Sequence, residues 1–450
     1  MFKISQSAAE ALSILWQNGF EAYLVGGCVR DMLMGFEPKD WDITTNATPQ
    51  QVKAAFRGEI VIETGIKHGT VTVLIGSGVE RESLEVTTFR EDIGYSDHRR
   101  PDSVSFAATL KEDVSRRDFT INSLAFCPER GVIDYFGGAD DIKARTIRCV
   151  GDAGRRFNED ALRMLRALRF SSTLGFRIER ETSASIHQNK ELLRSVSAER
   201  INIELTKMIC GCGAGATLRE FADVVGVVIP EIIPMIGFYQ HNKYHCYDVW
   251  RHTIEVMENC EPTHILRWAA LLHDIGKPDC FSLDSDGIGH FYGHAALSKQ
   301  KANIVMYRLK FDNATRERVL TLVERHDVSL IPEARVIKRY LNRLGEDALR
   351  QLLLLRHADI MGHAPEYRYR IKEIEQIQAL MEQVIAEVAC FSLKDLAIDG
   401  KDIVALGLKG KEIGDALKFL LNAVIDDLVP NERSTLLRYL DENLLENGRC

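Results

Sequence analysis

The sequence has no long apolar run that would place the chain in a membrane. Among its 450 residues no stretch reaches the ~20 consecutive apolar residues that a membrane-spanning helix needs. Residues 1–6 show neither the basic nor the apolar region of a secretion signal. These absences predict a cytoplasmic protein without a membrane partner.

Closely spaced cysteine pairs are also scarce. The ten cysteines are scattered, and Cys210 and Cys212 form the only close pair. A structural zinc site takes four ligands, usually from two such pairs, so we do not expect zinc. In a reducing compartment the thiols are expected to be free.

An overall basic charge is missing as well. The formal net charge is −8, which argues mildly against nucleic acid as a partner. Arginines are nevertheless clustered, with five in residues 155–169 and five in residues 90–117. A local basic stripe can still bind RNA, with modest nonspecific affinity and strong salt dependence.

The most informative stretch is residues 23–45, which read Y-L-V-G-G-C-V-R-D-M-L-M-G-F-E-P-K-D-W-D-I-T-T. This pattern predicts a strand, a Gly-Gly turn, a short helix and a second strand. Gly26 and Gly27 lack a Cβ, so the backbone there can approach a phosphate and direct N–H groups at it. Arg30 follows within one helical turn and can add a bidentate phosphate contact.

Two carboxylates follow this turn. Asp40 and Asp42 are two residues apart, so both point to the same face of a strand. Such a pair suits two Mg²⁺ ions about 3.5–4 Å apart, one activating the attacking oxygen and one holding the leaving phosphate. Glu85 lies on a later predicted strand and is either a third ligand or a solvated residue.

The combination of G-G-x-V-R-D with K-D-W-D-I resembles the nucleotidyltransferase superfamily that includes DNA polymerase beta. It more closely resembles the class II tRNA nucleotidyltransferase and poly(A) polymerase family, and the resemblance extends over nearly the whole chain. Residues 113–125 read D-V-S-R-R-D-F-T-I-N-S-L-A and match the R-R-D-F-T-I-N motif of that family. By this resemblance Arg117 binds the sugar-phosphate of the nucleotide.

We expect the arginine pair of this motif to open a helix, where a bound anion would compensate its unfavourable interaction with the helix dipole. Residues 89–106 are polar and rich in turn formers, and predict a loop. They resemble the flexible loop of CCA-adding members, which members that add only A tend to lack.

Residues 158–170 read N-E-D-A-L-R-M-L-R-A-L-R-F and predict one helix, with Asp160, Arg163, Arg166 and Arg169 opposite its apolar face. An Asp/Arg pair can accept C and A, each of which has an amino group beside a ring acceptor, and reject U and G. A solvated pair worth ~0.2–0.5 kcal/mol explains the spacing equally well. By resemblance, Asp160 and Arg163 choose the base, and Arg166 and Arg169 contact the phosphates or neighbouring groups.

A second set of metal-binding residue types lies further along, where residues 271–278 read L-L-H-D-I-G-K-P. Adjacent His and Asp in an apolar helical segment are unusual, because both must turn inward together. The series resembles the HD phosphohydrolase domain, which hydrolyses phosphate esters with Mn²⁺, Ni²⁺, Co²⁺ or Fe²⁺. By this resemblance the ligands are His252, His273, Asp274 and Asp327, with His290, His294 and His326 as candidates for a second metal.

The predicted fold class is α+β. A polymerase-beta-like head of sheet and helices occupies residues 1–150, and an all-helical neck with the template helix and RNA-binding helices occupies residues 151–235. An HD-type helical domain at residues 236–345 and a tRNA-binding body and tail at residues 346–450 complete the chain.

The predicted function is the addition of CCA to the 3′ end of tRNA from CTP and ATP, without a nucleic-acid template and with release of pyrophosphate. The alternatives are a CC-adding enzyme, an A-adding enzyme or poly(A) polymerase, and a metal-dependent phosphohydrolase with an RNA-binding head. The loop at residues 89–106 and the G-I-K-H-G-T-V stretch at residues 65–71 favour CCA addition. The sequence gives no oligomeric state.

Overall fold

The computed structural model describes residues 2–66, 69–76, 81–93, 103–106, 109–387 and 390–446. The chain divides into two compact units, Met1–Ile233 and Pro234–Cys450. The first unit contains the predicted sheet and the helices that follow it, and the second is almost entirely helical. The predicted α+β class is confirmed.

The strands of the first unit are β1 (Ala22–Val25), β2 (Trp41–Thr45), β3 (Ile60–Ile62), β4 (Thr70–Ile75), β5 (Glu82–Thr88), β6 (Arg90–Ile93), β7 (Ser103–Phe106), β8 (Leu124–Cys127), β9 (Gly131–Asp134), β10 (Thr146–Ile147) and β11 (Arg177–Ile178). Its helices are α1 (Gln6–Gln17), α2 (Gly27–Leu33), α3 (Pro49–Ala55), α4 (Leu110–Ser115), α5 (Gly138–Lys143), α6 (Ala153–Glu159), α7 (Leu162–Leu174), α8 (Arg180–Asn189), α9 (Ala198–Ile209), α10 (Ala214–Glu220) and α11 (Ala222–Val228).

A seven-stranded sheet forms the centre of the first unit, in the order β3-β4-β5-β2-β1-β8-β9. The β2–β5 pair is parallel, and the other neighbours are antiparallel. All four residues of β1 are buried, and alternate residues of β4 are buried. The strand predicted to carry Glu85 is confirmed as β5.

Two local predictions in this unit are wrong. Arg116 caps the C-terminal end of α4, and Arg117 follows it, so the arginine pair ends a helix and interacts favourably with its dipole. The predicted loop over residues 89–106 is wrong at its two ends, where β6 and β7 pair as antiparallel strands. Residues 94–102, and the Lys67 and His68 part of the G-I-K-H-G-T-V stretch, lie outside the described residues.

The helices of the second unit are α12 (Val249–Asn259), α13 (His264–Leu272), α14 (His294–Arg308), α15 (Asn313–Arg325), α16 (Ala334–Leu344), α17 (Glu346–Met361), α18 (Ile371–Ala386), α19 (Gly400–Ala405), α20 (Lys411–Ile425) and α21 (Arg433–Glu446). Two short strands, β12 (Ser282–Leu283) and β13 (Gly289–His290), pair between α13 and α14. Among the described residues no helix is both long and apolar enough to cross a membrane.

Candidate functional site

The Gly-Gly turn places an arginine side chain against the backbone. Gly26 has φ of 82°, a conformation that favours glycine. A Cβ on Gly26 would lie 2.7 Å from Nη1 of Arg117. Gly27, the first residue of α2, has room for a Cβ, whose nearest neighbour would be Nη2 of Arg30 at 3.7 Å. The positive φ therefore favours glycine at position 26, where a Cβ would also displace the end of the Arg117 side chain, and neither ground applies at position 27.

Carboxylates from neighbouring strands face each other beside this turn. Asp40 directly precedes β2, and Asp42, in β2, is in register with Glu85 of β5. Burial raises the pKa of Asp42, the charge of Arg117 opposes this rise, and the charges of Glu85 and Asp40 add to it. A divalent cation would relieve this repulsion, and carboxylate oxygens are the ligands that Mg²⁺ takes in proteins. The residues present therefore fit Mg²⁺.

A chain of hydrogen bonds runs from the short helix α2 to helix α7. Nη1 of Arg30 donates to Oδ1 of Asn122 at 2.7 Å, and Nδ2 of Asn122 donates to Oδ1 of Asp118 at 3.0 Å. Nε of Arg166 donates to Oδ2 of Asp118 at 2.8 Å. Asp118 and Asn122 were not predicted as site residues, although both lie in the R-R-D-F-T-I-N motif. The network fixes Arg30 relative to Arg166.

Three of the predicted nucleotide-binding arginines meet around one aromatic ring. The Cζ atoms of Arg30, Arg166 and Arg169 lie 5.2, 5.4 and 3.8 Å from the ring centroid of Phe170. Nε of Arg169 also donates to Oε2 of Glu204 at 2.6 Å. The fold thus brings together basic residues that are up to 139 positions apart in the sequence, and holds their side chains in place by cation–π contacts.

The predicted single helix over residues 158–170 is wrong, because Asp160 adopts an extended conformation between α6 and α7. Its carboxylate accepts from Nη2 of Arg200 at 2.9 Å and from the backbone N–H of Leu162 at 3.1 Å. Arg163 is buried and donates to Glu159 at 2.7 Å and to the carbonyl of Arg116 at 3.0 Å. Asp160 and Arg163 are therefore each positioned by other partners.

The second unit contains a buried group of imidazole and carboxylate side chains. Nε2 of His252 lies 3.0 Å from Oδ1 of Asp359 and 3.4 Å from Oδ2 of Asp274. Nε2 of His273 lies 3.1 Å from Oδ2 of Asp274 and 3.7 Å from Oδ1 of Asp359. The ligand atoms of His252, His273 and Asp359 lie within 4.8 Å of one another, and Oδ2 of Asp274 lies beside both histidines. We call this set the first ligand group.

Backbone carbonyls orient both histidines of this group. Nδ1 of His252 lies 3.2 Å from the carbonyl oxygen of Gly362, and Nδ1 of His273 lies 2.7 Å from that of Ala270. A carbonyl only accepts, so each Nδ1 carries a hydrogen, which leaves each Nε2 free to bind a metal ion when it is unprotonated. Nε2 of His273 has no hydrogen bond of acceptable geometry in the described structure.

Asp274 is the most constrained member of the group. Both of its carboxylate oxygens are buried without a hydrogen bond of acceptable geometry among the described residues, although Nζ of Lys277 lies 2.7 Å from Oδ2. Burial alone would raise the pKa of Asp274, but the charges of His273 and Lys277 hold it well below its usual range. Two imidazole nitrogens and two carboxylate oxygens fit a divalent transition metal.

The structure gives the fourth position of the group to Asp359. The predicted ligand Asp327 lines a cavity of about 410 Å³ that Asp274 and Asp359 also line. It is absent, however, from the groups of described residues whose ligand atoms lie within 4.8 Å of one another. Asp359 and His363 lie four residues apart near the end of α17. This i, i+4 spacing at the end of a predicted helix was the available signal for Asp359.

The chain matches known families along most of its length. Residues 22–148 match the family described as "Poly A polymerase head domain". Residues 175–225 match an RNA- and SrmB-binding segment of polymerase A, and residues 287–440 match domain 2 of tRNA nucleotidyltransferase.

Curated relatives are similar over nearly the whole chain. The CCA-adding enzyme of Lactobacillus delbrueckii subsp. bulgaricus is 48% identical over 97% of this chain and 98% of its own length. That of Lactobacillus helveticus is 34% identical over 97% of this chain and 96% of its own. The crystal structure of the Bacillus stearothermophilus CCA-adding enzyme in complex with CTP is 29% identical, covers 99% of each chain, and gives a TM-score of 0.73.

Nucleotidyltransferases of this family depend on a divalent metal. The groups of described residues whose ligand atoms lie within 4.8 Å of one another are in the second unit. From the length of these matches and their agreement with the fold, the chain belongs to the family of CCA-adding tRNA nucleotidyltransferases.

Proposed function

We propose that this protein adds CCA to the 3′ end of tRNA, using CTP twice and ATP once. The observation that carries this proposal is the placement of Asp42 in register with Glu85, beside the Gly26 turn that packs against Arg117. Family membership supports it. The finer domain divisions at residues 150, 235 and 345, and the cytoplasmic location, stay predictions.

The residues of the first unit suit in-line nucleotidyl transfer. The 3′ hydroxyl oxygen of tRNA forms a bond to the α-phosphorus of CTP or ATP, and the bond to pyrophosphate breaks. Asp40 and Asp42 are the residues that would hold Mg²⁺, which when bound supplies positive charge to the attacking and leaving oxygens. Positioning and charge suffice for this chemistry, so no covalent enzyme intermediate is needed.

The basic residues bind the triphosphate in this proposal. The backbone at Gly26 and Gly27 approaches the phosphates, and Arg30, Arg117, Arg166 and Arg169 supply the positive charge. Nε of Arg117 is buried and has no hydrogen-bond partner among the described residues. A buried donor without a partner is costly, and a phosphate oxygen is a suitable acceptor for it.

In this proposal Asp160 and Arg163 select the base of the incoming nucleotide. A carboxylate can accept about four hydrogen bonds. The carboxylate of Asp160 accepts two hydrogen bonds, from Arg200 and from the Leu162 N–H. It can therefore accept a further hydrogen bond from the amino group of C or A. Repulsion of the carbonyl groups of U and G by the same oxygens gives the discrimination.

The test is nucleotide incorporation by the purified protein, with Mg²⁺, on a tRNA transcript that ends at the discriminator base. We expect two additions with CTP alone and a third only when ATP is also present. The matched control is Asp40→Ala/Asp42→Ala, which removes both carboxylates and is expected to abolish addition.

Other product patterns separate the alternatives. Two additions with both nucleotides present indicate a CC-adding enzyme, and addition only to tRNA ending in CC indicates an A-adding one. Long A tails indicate a poly(A) polymerase. Addition by the double variant would contradict the assignment of the metal-binding residues.

A second candidate function is hydrolysis of phosphate esters at the first ligand group. The observation that favours it is the set of buried ligand atoms on His273 and Asp274 that make no hydrogen bond of acceptable geometry among the described residues, beside a cavity that Lys277, Arg356 and Arg370 line with positive charge. Mn²⁺, Ni²⁺, Co²⁺ or Fe²⁺ fits the mixed imidazole and carboxylate donors. Its test is hydrolysis of p-nitrophenyl phosphate with each of these metals, which Asp274→Asn is expected to abolish.

A further inference from the structure

The turn between helix α2 and strand β2 exposes a large aromatic side chain. Phe36 lies four residues before Asp40, and 60% of its surface is exposed. A single exposed apolar side chain is common on protein surfaces and by itself indicates no function. Phe36 differs in two respects, which are the backbone that holds it and the site that follows it in the chain.

A Schellman motif at the end of α2 fixes the backbone of this turn. The N–H of Gly35 donates to the carbonyl of Met32 at 3.1 Å. The N–H of Phe36 donates to the carbonyl of Asp31 at 2.8 Å. Gly35 has φ of 79°, the left-handed conformation that the motif uses. The main chain therefore sets the position of Phe36 relative to α2.

The packing that usually accompanies this motif does not account for the aromatic ring. The residue in the place of Phe36 commonly contacts an apolar side chain on the last turns of the helix, three or four positions before its C-cap. In α2 these positions are Asp31 and Arg30, whose side chains pair with each other at 2.7 Å. Phe36 thus lacks the apolar partner that would give it a purely structural role in the motif.

The turn leads directly to the carboxylates of the first unit. Pro38 is buried and Asp40 is exposed. Four residues span at most about 14 Å, so the backbone of Phe36 lies within that distance of Asp40. In the proposed reaction the 3′ hydroxyl of an RNA lies at Asp40 and Asp42. The last bases of that RNA therefore come within reach of Phe36.

The charges beside Phe36 indicate what kind of contact the turn can make. Glu37 and Lys39 are both exposed and carry opposite charges, so they give the turn no net attraction for phosphate groups. Stacking on the ring is the remaining interaction with RNA, and an aromatic ring stacks on any base. Such a contact suits a 3′ end whose last base changes with each addition.

We infer that Phe36 stacks on a base near the 3′ end of the tRNA and thereby helps to hold the 3′ hydroxyl at the carboxylates. This inference rests on the proposed function. It adds a contact for the RNA that accepts the nucleotide, whereas the arginines of the site contact the incoming triphosphate.

The first test is steady-state kinetics of full-length variants. Phe36→Ala is expected to raise the KM for tRNA about 5–50-fold, which is the loss of one base–aromatic stack, and to change the KM for CTP less than about twofold. Phe36→Trp, which keeps a stacking ring, is expected to retain the wild-type KM for tRNA. Phe36→Leu, which keeps apolar bulk without a ring, is expected to behave like Phe36→Ala. Tyr135→Ala removes another exposed aromatic side chain of the same unit and is expected to change neither KM.

The second test locates the contact by photochemical crosslinking. Two tRNA transcripts ending in CC carry a single 5-iodocytidine, one at the last position and one at the position before it. On irradiation this base couples to an aromatic ring that is stacked against it. We expect the crosslink in the tryptic peptide of residues 31–39, in which Phe36 is the only aromatic residue. Mass spectrometry identifies the peptide, and Phe36→Leu is expected to abolish the crosslink.

The outcomes separate this inference from the proposed function. CCA addition with an unchanged KM for tRNA in Phe36→Ala overturns the stacking contact and leaves the proposed function standing. An equal rise in the KM for CTP, or no rescue by tryptophan, overturns it as well, because the turn and not the ring would then matter. The absence of a crosslink to Phe36 from both transcripts also overturns it. A wild-type protein that adds no nucleotide contradicts the proposed function, whereas a crosslink to Phe36 in that protein still supports the stacking contact.

Discussion

The two candidate metal sites of this protein differ in how far they are exposed and in how their ligands are arranged along the chain. In the first unit, Asp40 is exposed and Asp42 is partly buried, and both come from one short segment. In the second unit, His252, Asp274 and Asp359 are spread over 108 positions.

This difference predicts different modes of metal binding. Exposed carboxylates are hydrated, so Mg²⁺ is expected to bind them weakly and together with substrate phosphates. Buried imidazoles, oriented by backbone carbonyls, have lost their water and are expected to hold a transition metal between turnovers. On this prediction the same residue type, aspartate, would serve a transient site at the start of the central strand β2 and a permanent site in a helical core.

The largest expected effect tests whether the two sites are independent. Asp42→Asn is expected to lower CCA addition by at least ~10³-fold, because loss of a metal ligand removes several kcal/mol of transition-state stabilisation. It is expected to leave phosphomonoester hydrolysis unchanged. Asp274→Asn is expected to do the reverse, and both rates are measured on each purified variant. A variant that loses both activities would show that the two sites are not independent.

The next effect concerns the two glycines of the turn. Gly26→Ala is expected to reduce CCA addition by about 10²-fold. Its Cβ would displace the Arg117 side chain, and the positive φ at this position would strain the backbone of the variant. Gly27→Ala is the matched control, with an expected change of less than about threefold in kcat/KM. Equal losses in the two variants would mean that close phosphate approach at position 27 matters as much as the packing of Arg117.

A smaller effect concerns the network between α2 and α7. Burial alone would raise the pKa of Asp118, but Arg166 and Asn122 lower it to about 2. A carboxyl whose pKa is lowered in the folded state stabilises the fold at pH values above 3.8, which is its unfolded pKa. This contribution is lost as the pH falls through the folded pKa of about 2. Asp118→Asn is therefore expected to cost about 2 kcal/mol at pH 7, and less at pH 3.

Urea unfolding followed by circular dichroism at both pH values measures this free energy. Asp140→Asn, at an exposed aspartate of the same unit, is the control and is expected to change little. A cost for Asp118→Asn that is the same at pH 3 and pH 7 would show that its charge does not provide the stabilisation.

The smallest effect concerns base choice. Arg200→Ala releases the carboxylate of Asp160 from its ion pair, so incorporation of UTP relative to CTP is expected to rise about 3–10-fold, which corresponds to roughly 1 kcal/mol. Single-turnover incorporation of each nucleotide measures this ratio. Arg194→Ala removes an exposed arginine and is expected to leave the ratio unchanged.

Local patterns in the sequence were sufficient for much of the first unit. The alternation of β4, the Gly-Gly turn and the N-cap of α3 at Thr48 depend on neighbours within a few residues. The extended conformation of Asp160 could not be predicted from such neighbours, because the segment N-E-D-A has no proline or glycine to end a helix. The ion pair with Arg200, 40 positions away, helps to stabilise the break.

The sequence by itself determined the α+β class, the family and the residue types of both candidate metal sites. Only the tertiary structure decided which of those residues meet. It placed Asp359 and not Asp327 in the first ligand group, and it paired Arg163 with the carbonyl of Arg116 and Asp160 with Arg200. The physical reason is range: backbone propensities and side-chain periodicity act within one or two turns, whereas ligand groups and ion pairs join helices whose packing no local pattern specifies.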